Sequence, residues 1–184
     1  NVGLPATGQT TCYDSTEGVV IECTGTGQDG ELQRGAARSF TDNGDGTITD
    51  NVTGLMWEKL ADDGSIHDGD NLYTWTDAVT TKVATLNAAS FGGYTDWRLP
   101  NRVELGSLVN AETSYPAAYS AFNTGCVPSC TVLTCSCTLR SRYWTSTTFV
   151  EGPQYAWSVT FEPGMVEWEA KSFVAGVRAV RGGL

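Results

Sequence analysis

The chain has 184 residues and a formal net charge of -10 at pH 7, with 21 Asp and Glu against 11 Lys and Arg. That length allows one domain with a sizeable core, and the charge sets the surface against nucleic-acid phosphates and anionic membranes. No apolar run approaches the roughly 20 residues that span a bilayer, so membrane insertion is not expected. The 21 Gly, six Trp, seven Tyr and six Phe describe instead a loop-rich, β-containing domain.

Residues 1–37 are rich in Gly and Thr and predict an N-terminal arm or flap. Cys12 and Cys23 flank a DSTEG turn and the apolar run VVIEC, which reads as a small disulfide-closed hairpin. Such an arm either packs on its own domain or adds a strand to a neighbour's sheet edge. A first residue Asn1 in place of Met is expected of a processed, signal-cleaved chain.

The main domain, residues 38–184, opens with three predicted strands at 38–41, 47–50 and 55–58, separated by the turns DNGDG and NVTG. DNGDGTITD resembles half an EF-hand loop. With Asp45 and Gly46 at loop positions five and six, the two ends fall on Thr41 and Val52, and both anchoring carboxylates are missing. A weaker calcium site from Asp42, Asn43, Asp45 and Asp50 is the candidate metal site; the competing reading is a tight hairpin turn. The single histidine, His67, lies in an acidic loop with Asp62, Asp63, Asp68 and Asp70, and reads as solvated. Asn51-Val52-Thr53 is a glycosylation sequon, with meaning in a eukaryotic secretory route.

Thr74 and Asp77 form a capping box for a helix over 74–89, with Trp75, Ala78, Val79, Val83 and Leu86 at helical spacing and Gly92-Gly93 as the stop. The stretch GYTDWRLP, residues 93–100, reads as a structural hub. Trp97 is a core anchor, and Arg98 is placed to tie down carbonyls or a carboxylate. Asn101 and Glu104 form a second capping box for a helix of two to three turns.

Residues 111–142 form a long connection, and a loop of this length inside a domain is functional or restrained. Its restraint is Cys126, Cys130, Cys135 and Cys137. CxxxC followed by CxC is not standard zinc-knuckle spacing, so an even count of cysteines argues for disulfides and export. A Cys135–Cys137 bridge would be strained and Cys126–Cys130 is disfavoured. Two pairings stay open: Cys126–Cys135 with Cys130–Cys137, or Cys126–Cys137 with Cys130–Cys135. Tyr115, Tyr119 and Phe122, with Arg140 and Arg142 at the exit, are the candidate ligand contacts. Period-two runs at 143–147, 156–161, 165–169 and 175–180 complete the chain as strands. The expected structural anchors are Trp57, Trp75, Trp97, Trp144 and Trp157, together with Arg98.

The motifs GQTTCYD, TGQDGELQ, FTDNGDGTITDNVTGLMW, GGYTDWRLPNRVEL, YWTST, AWSV and VRAVRGG occur in that order. In them the chain resembles the C-terminal domain family of the Legionella collagen-like adhesin, a bacterial family largely of unknown function. The resemblance implies an α+β, C-type-lectin-like fold, distantly related to formylglycine-generating enzymes. That fold has two helices, a central twisted antiparallel sheet and a long loop that carries binding. The named member is associated with polyanionic glycosaminoglycans; a net charge of -10 opposes this unless Arg98, Arg102, Arg140 and Arg142 cluster. Lectins of this fold hold sugar through a calcium-bound Glu-Pro-Asn, whereas Glu162-Pro163-Gly164 lacks the amide and falls in a hairpin turn.

The expectation is therefore a secreted bacterial surface module that recognises a glycan or a protein through residues 111–142. The alternative is a structural subunit of an extracellular filament, using the arm to contact copies of itself. An enzyme is not expected, because the sequence has one His, no nucleophile–base pair and no phosphate-binding glycine motif. No cofactor beyond calcium is implied.

Overall fold

Residues 4–182 are described by a computed structural model. Over these residues the chain is mixed α/β, with few helices, three antiparallel sheets and three disulfides. Among the described residues, no helix is long and apolar enough to cross a membrane.

β1 (Cys12–Tyr13) and β2 (Val20–Ile21) pair as a ribbon closed by the Cys12–Cys23 disulfide. The chain reverses because the Asp14 carboxylate accepts the amides of Glu17 at 2.9 Å and Val19 at 3.2 Å, a side-chain substitute for a backbone turn. The arm lies on the domain. Ala111 N donates to Thr7 O at 2.9 Å. The Glu112 carboxylate accepts Thr10 N at 2.6 Å and Thr11 N at 3.0 Å.

The second sheet has the order β3-β4-β5-β9, with β3 Phe40–Asp42, β4 Thr47–Asp50, β5 Met56–Glu58 and β9 Val180–Arg181. The first of these strands starts two residues later than its β-branched and aromatic pattern predicts. Arg38 is not part of the ladder; its guanidinium turns inward to Asp50 Oδ2 at 3.1 Å. The third sheet runs β6-β7-β8, with β6 Arg142–Thr148, β7 Tyr155–Thr160 and β8 Met165–Ala170. The register of β6 against β7 shifts between Trp144 and Thr148.

The predicted strand 175–180 is divided between partners. Ala175 bridges to Tyr73 and Gly176 lies beside Tyr143, while Val180 pairs with Trp57 of β5 and also bridges Arg98. The segment passes from one sheet to the other, so its backbone groups are satisfied in turn by different neighbours.

The long helix covers residues 75–88: Trp75–Asp77 is α-helical, Ala78–Val83 is π-helical and Ala84–Ala88 is α-helical again. Thr74 accepts Asp77 N at 3.2 Å at its start. The second helix, Arg102–Gly106, is shorter than expected. Its capping box is complete: Asn101 Oδ1 accepts Glu104 N at 2.9 Å, and Glu104 Oε2 accepts Asn101 N at 2.7 Å.

Trp57, Trp97 and Trp144 are buried. Trp75 and Trp157 are half-buried; Lys171 Nζ lies 4.3 Å from the Trp75 ring and the Arg102 guanidinium 4.8 Å from the Trp157 ring. Polar groups also enter the core. Arg178 donates to the carbonyls of Glu58 at 2.9 Å and Cys137 at 2.6 Å and to Thr138 Oγ1 at 2.9 Å. It thereby ties β5 to the cysteine loop and satisfies buried acceptors there.

Candidate functional site: a groove at the cysteine loop

Two disulfides set the loop. Cys126 pairs with Cys137 and Cys130 with Cys135, the second of the two pairings left open by spacing. Cys130, Cys135 and Cys137 are buried. Cys137 N donates to Leu60 O at 2.8 Å and Asp62 N donates to Cys130 O at 3.0 Å, so the loop is stitched to the body of the domain. Its exit, at Arg140–Arg142, is thereby held beside the start of β6.

The entry of the loop is held from another side. Ala117 N donates to Phe161 O at 2.7 Å and Tyr115 N donates to Glu162 O at 3.4 Å. This lays residues 115–117 against the turn that joins β7 to β8. That turn favours its glycine: Gly164 has φ +83°, and a Cβ there would meet Val109 Cγ1 at 2.6 Å, so any other residue would be strained.

Between entry and exit lies an open groove of about 530 Å³ lined by Tyr115, Arg140, Arg142, Glu162, Met165 and Glu167 among others. Tyr115 is 56% exposed, and the Arg140 guanidinium lies 5.6 Å from its ring centroid. Arg142 pairs with Glu167 at 3.1 Å and Glu169 at 3.6 Å. These pairs are exposed and stabilise little. Their consequence is electrostatic: two arginines meet two lining glutamates, and the groove carries donors and acceptors with no excess of either sign.

Tyr115 is shared with a second depression, of about 510 Å³, which ends at Tyr119 and includes Asn110, Thr113, Pro116 and Asn123. Tyr119 is shared in turn with a third cavity, of about 280 Å³, against the arm. Its hydroxyl donates to Ala6 O at 3.1 Å, and burial pushes its phenol pKa up. Tyr115 and Tyr119 are thus walls shared by neighbouring depressions.

Of the five contacts expected from sequence, Tyr115, Arg140 and Arg142 share the groove and Tyr119 stands one depression away. Phe122 is corrected to a core residue, 1% exposed, with ring centroids 5.1 Å from Phe40 and 6.3 Å from Trp57. The short turn Ser120–Phe122 swings it inward, where a flat apolar ring gains more than at the surface. Glu162 enters the sequence reading only as part of the Glu162-Pro163-Gly164 turn, and Glu167, from the far end of the chain, carries no local signal for the groove.

The four residues of the candidate calcium site are each engaged locally. Asp42 Oδ2 accepts Lys59 Nζ at 2.7 Å, and Asp45 Oδ1 accepts Thr47 Oγ1 at 2.6 Å. Asn43 Nδ2 donates to Thr47 Oγ1 at 2.8 Å. Asp50 is buried with Arg38 at 3.1 Å and Thr53 Oγ1 at 2.6 Å. Among the described residues, the carboxylates that do converge are those of Asp62, Asp68 and Asp70. There too the Asp68 oxygens accept amides, from Gly64 at 2.5 Å and Asp70 at 2.8 Å.

The geometry defines a disulfide-braced, mixed α/β domain with an open, charge-balanced surface groove. A family model described as the Lcl C-terminal domain matches residues 46–181, and the chain belongs to that adhesin-associated family. No curated protein matches it. The matched span contains the whole groove and both loop disulfides; the arm and Arg38 lie outside it.

Proposed function

We propose that this chain is a non-enzymatic, C-type-lectin-like recognition module of a bacterial extracellular or surface protein, and that it binds a neutral glycan along the path marked by Tyr115 and Tyr119. The observation that carries the reading is Tyr115: a largely exposed ring in a groove whose arginines and glutamates balance. Aromatic faces and paired donors and acceptors suit sugar rings and their hydroxyls. A loop held by two disulfides loses little freedom on binding. The same balance, on a chain of net charge -10, disfavours a polyanion. Disulfides in an adhesin-associated domain support an oxidising, extracellular setting.

An array carrying neutral and sulfated glycans tests this. Neutral glycans are retained by the parent protein and lost by Tyr115→Ala; retention of sulfated glycans alone overturns the reading.

A second reading, a subunit of an extracellular filament, is supported by one feature. β8 is an edge strand with Met165, Val166 and Trp168 exposed, and an uncovered apolar edge invites strand addition. Negative-stain microscopy with and without residues 1–37 checks it. Filaments that vanish on truncation favour assembly, and single particles in both samples exclude it.

A further inference from the structure

Beyond Tyr119 the path ends in the cavity of about 280 Å³, lined by Thr7, Asp29, Gln33, Arg38 and Tyr119 among others. Of these five, Tyr119 alone falls in the span 46–181 matched by the family model, so this end of the path is built by the arm.

Arg38 is the unusual member. Its side chain is 4% exposed, and Nη2 reaches Asp50 Oδ2 at 3.1 Å. The guanidinium lies 4.9 Å from the Phe40 ring centroid and 5.4 Å from that of Tyr119. Its other nitrogens, Nε and Nη1, are buried and have no hydrogen-bond partner. A buried donor without an acceptor keeps its full desolvation penalty, and native chains rarely leave one unpaired. Two on one side chain, in the wall of a cavity, point to an acceptor that comes from outside the chain.

The other walls say what kind. Asp29 accepts the Thr7 hydroxyl and lines the cavity with a carboxylate, whereas the charge of Arg38 is already matched by Asp50. A carboxylate, sulfate or phosphate would meet Asp29 unfavourably. A hydroxyl both accepts and donates, so a ring of hydroxyls serves Arg38 and Asp29 together, with the Tyr119 ring beside it. We infer that this cavity binds one neutral sugar ring, whose oxygens accept from Arg38 Nε and Nη1 and whose hydroxyls donate to Asp29. It is the terminal subsite of the glycan path proposed above and rests on that reading. Because both nitrogens are buried, the ring reaches them only if the cavity wall shifts.

The test is NMR on the full chain, 15N-labelled and titrated separately with glucose, galactose, mannose, N-acetylglucosamine and acetate. The Arg38 Nε–H signal is assigned by its loss in Arg38→Lys, which keeps a positive charge opposite Asp50. At least one of the four sugars is expected to shift that signal saturably. Arg38→Lys is then expected to bind that sugar about tenfold more weakly, Asp29→Asn to weaken it as well, and Tyr115→Ala to leave it unchanged. Should Arg38→Lys not fold, Asp29→Asn and Gln33→Ala carry the comparison.

Silence of the signal toward all four sugars means that water fills the cavity, and it overturns the inference; so does a shift with acetate alone. The two proposals separate cleanly. Array binding that needs Tyr115 with a silent Arg38 leaves the groove standing and removes the cavity. A responding Arg38 with array binding indifferent to Tyr115 does the reverse.

Discussion

Lys82 Nζ lies 2.5 Å from Glu58 Oε1, and both side chains are closed to solvent, 1% and 0% exposed. The same oxygen meets His67 Nδ1 at 2.7 Å, while Oε2 accepts Ala179 N at 3.1 Å. One carboxylate on β5 thereby joins the long helix, the acidic loop and the segment leading to β9. Burial pushes the Glu58 carboxyl up, but the Lys82 charge and the His67 bond outweigh it and hold its pKa below the usual carboxylate range. Removing one partner of such a pair strands the other charge, so Lys82→Met is expected to cost about 3 kcal/mol or more. Urea unfolding of the variant and the parent measures it.

The pH dependence follows from the same site. A carboxyl whose pKa is lower folded than unfolded contributes stability above the unfolded value and loses it on acidification. Stability is therefore expected to be level above about pH 5 and to fall below it as Glu58 takes up a proton. In Lys82→Met the Glu58 contribution to that acid-side slope is expected to shrink. Thermal melts of both proteins from pH 7 down to pH 3 check this, and identical slopes would count against the assignment.

Tyr115 and Phe122 lie in one loop and are expected to behave oppositely. Phe122→Ala deletes a fully buried ring and is expected to cost about 3–5 kcal/mol. Tyr115→Ala removes an exposed ring and is expected to stay within about 0.5 kcal/mol of the parent while abolishing glycan retention. Paired denaturation and binding measurements on the two variants separate packing from recognition.

The loop disulfides close rings of different size, with sequence separations of 11 for Cys126–Cys137 and 5 for Cys130–Cys135. Loop-closure entropy predicts losses of about 3 and about 2 kcal/mol when each is replaced by a Ser pair. Both variants are expected to weaken glycan retention, because Arg140 and Arg142 follow directly from the braced segment. Calorimetric melting and array binding give the two readouts.

Calcium is expected to leave the protein unmoved. Asp42, Asp45 and Asp50 spend their oxygens on Lys59, Thr47, Thr53 and Arg38, so an incoming ion would have to break those bonds. Melting temperatures in excess calcium and in chelator should agree to within about 1 °C; a rise of several degrees in calcium would support the metal reading instead.

The parts legible in sequence were those held by near neighbours. The Asn101–Glu104 box closes across three residues, and the DNGDG turn is satisfied by Asp42, Asp45 and Thr47 within itself. The burial of Trp57, Trp97 and Trp144 follows from the large apolar area each brings. Trp157 has the same chemistry and remains half-buried, with Phe149 at its ring edge and the Arg102 guanidinium over its face. The run 175–180 alternates like a strand, yet periodicity cannot show that its residues pair with Tyr73, Tyr143 and Trp57 in turn.

The sequence by itself determined the family, the short elements and their caps, and which cysteines are bridged as a group, because these depend on motif identity and on contacts a few residues apart. The tertiary structure alone decided how the four loop cysteines pair and which loop aromatics face out. It also decided that Arg140, Arg142, Glu162 and Glu167 line one groove beside Tyr115, and that Arg38 is buried next to a cavity with two donors unmet. Those outcomes rest on segments far apart in the chain brought together by packing, and whether a ring or a guanidinium ends up covered depends on what the rest of the fold places over it.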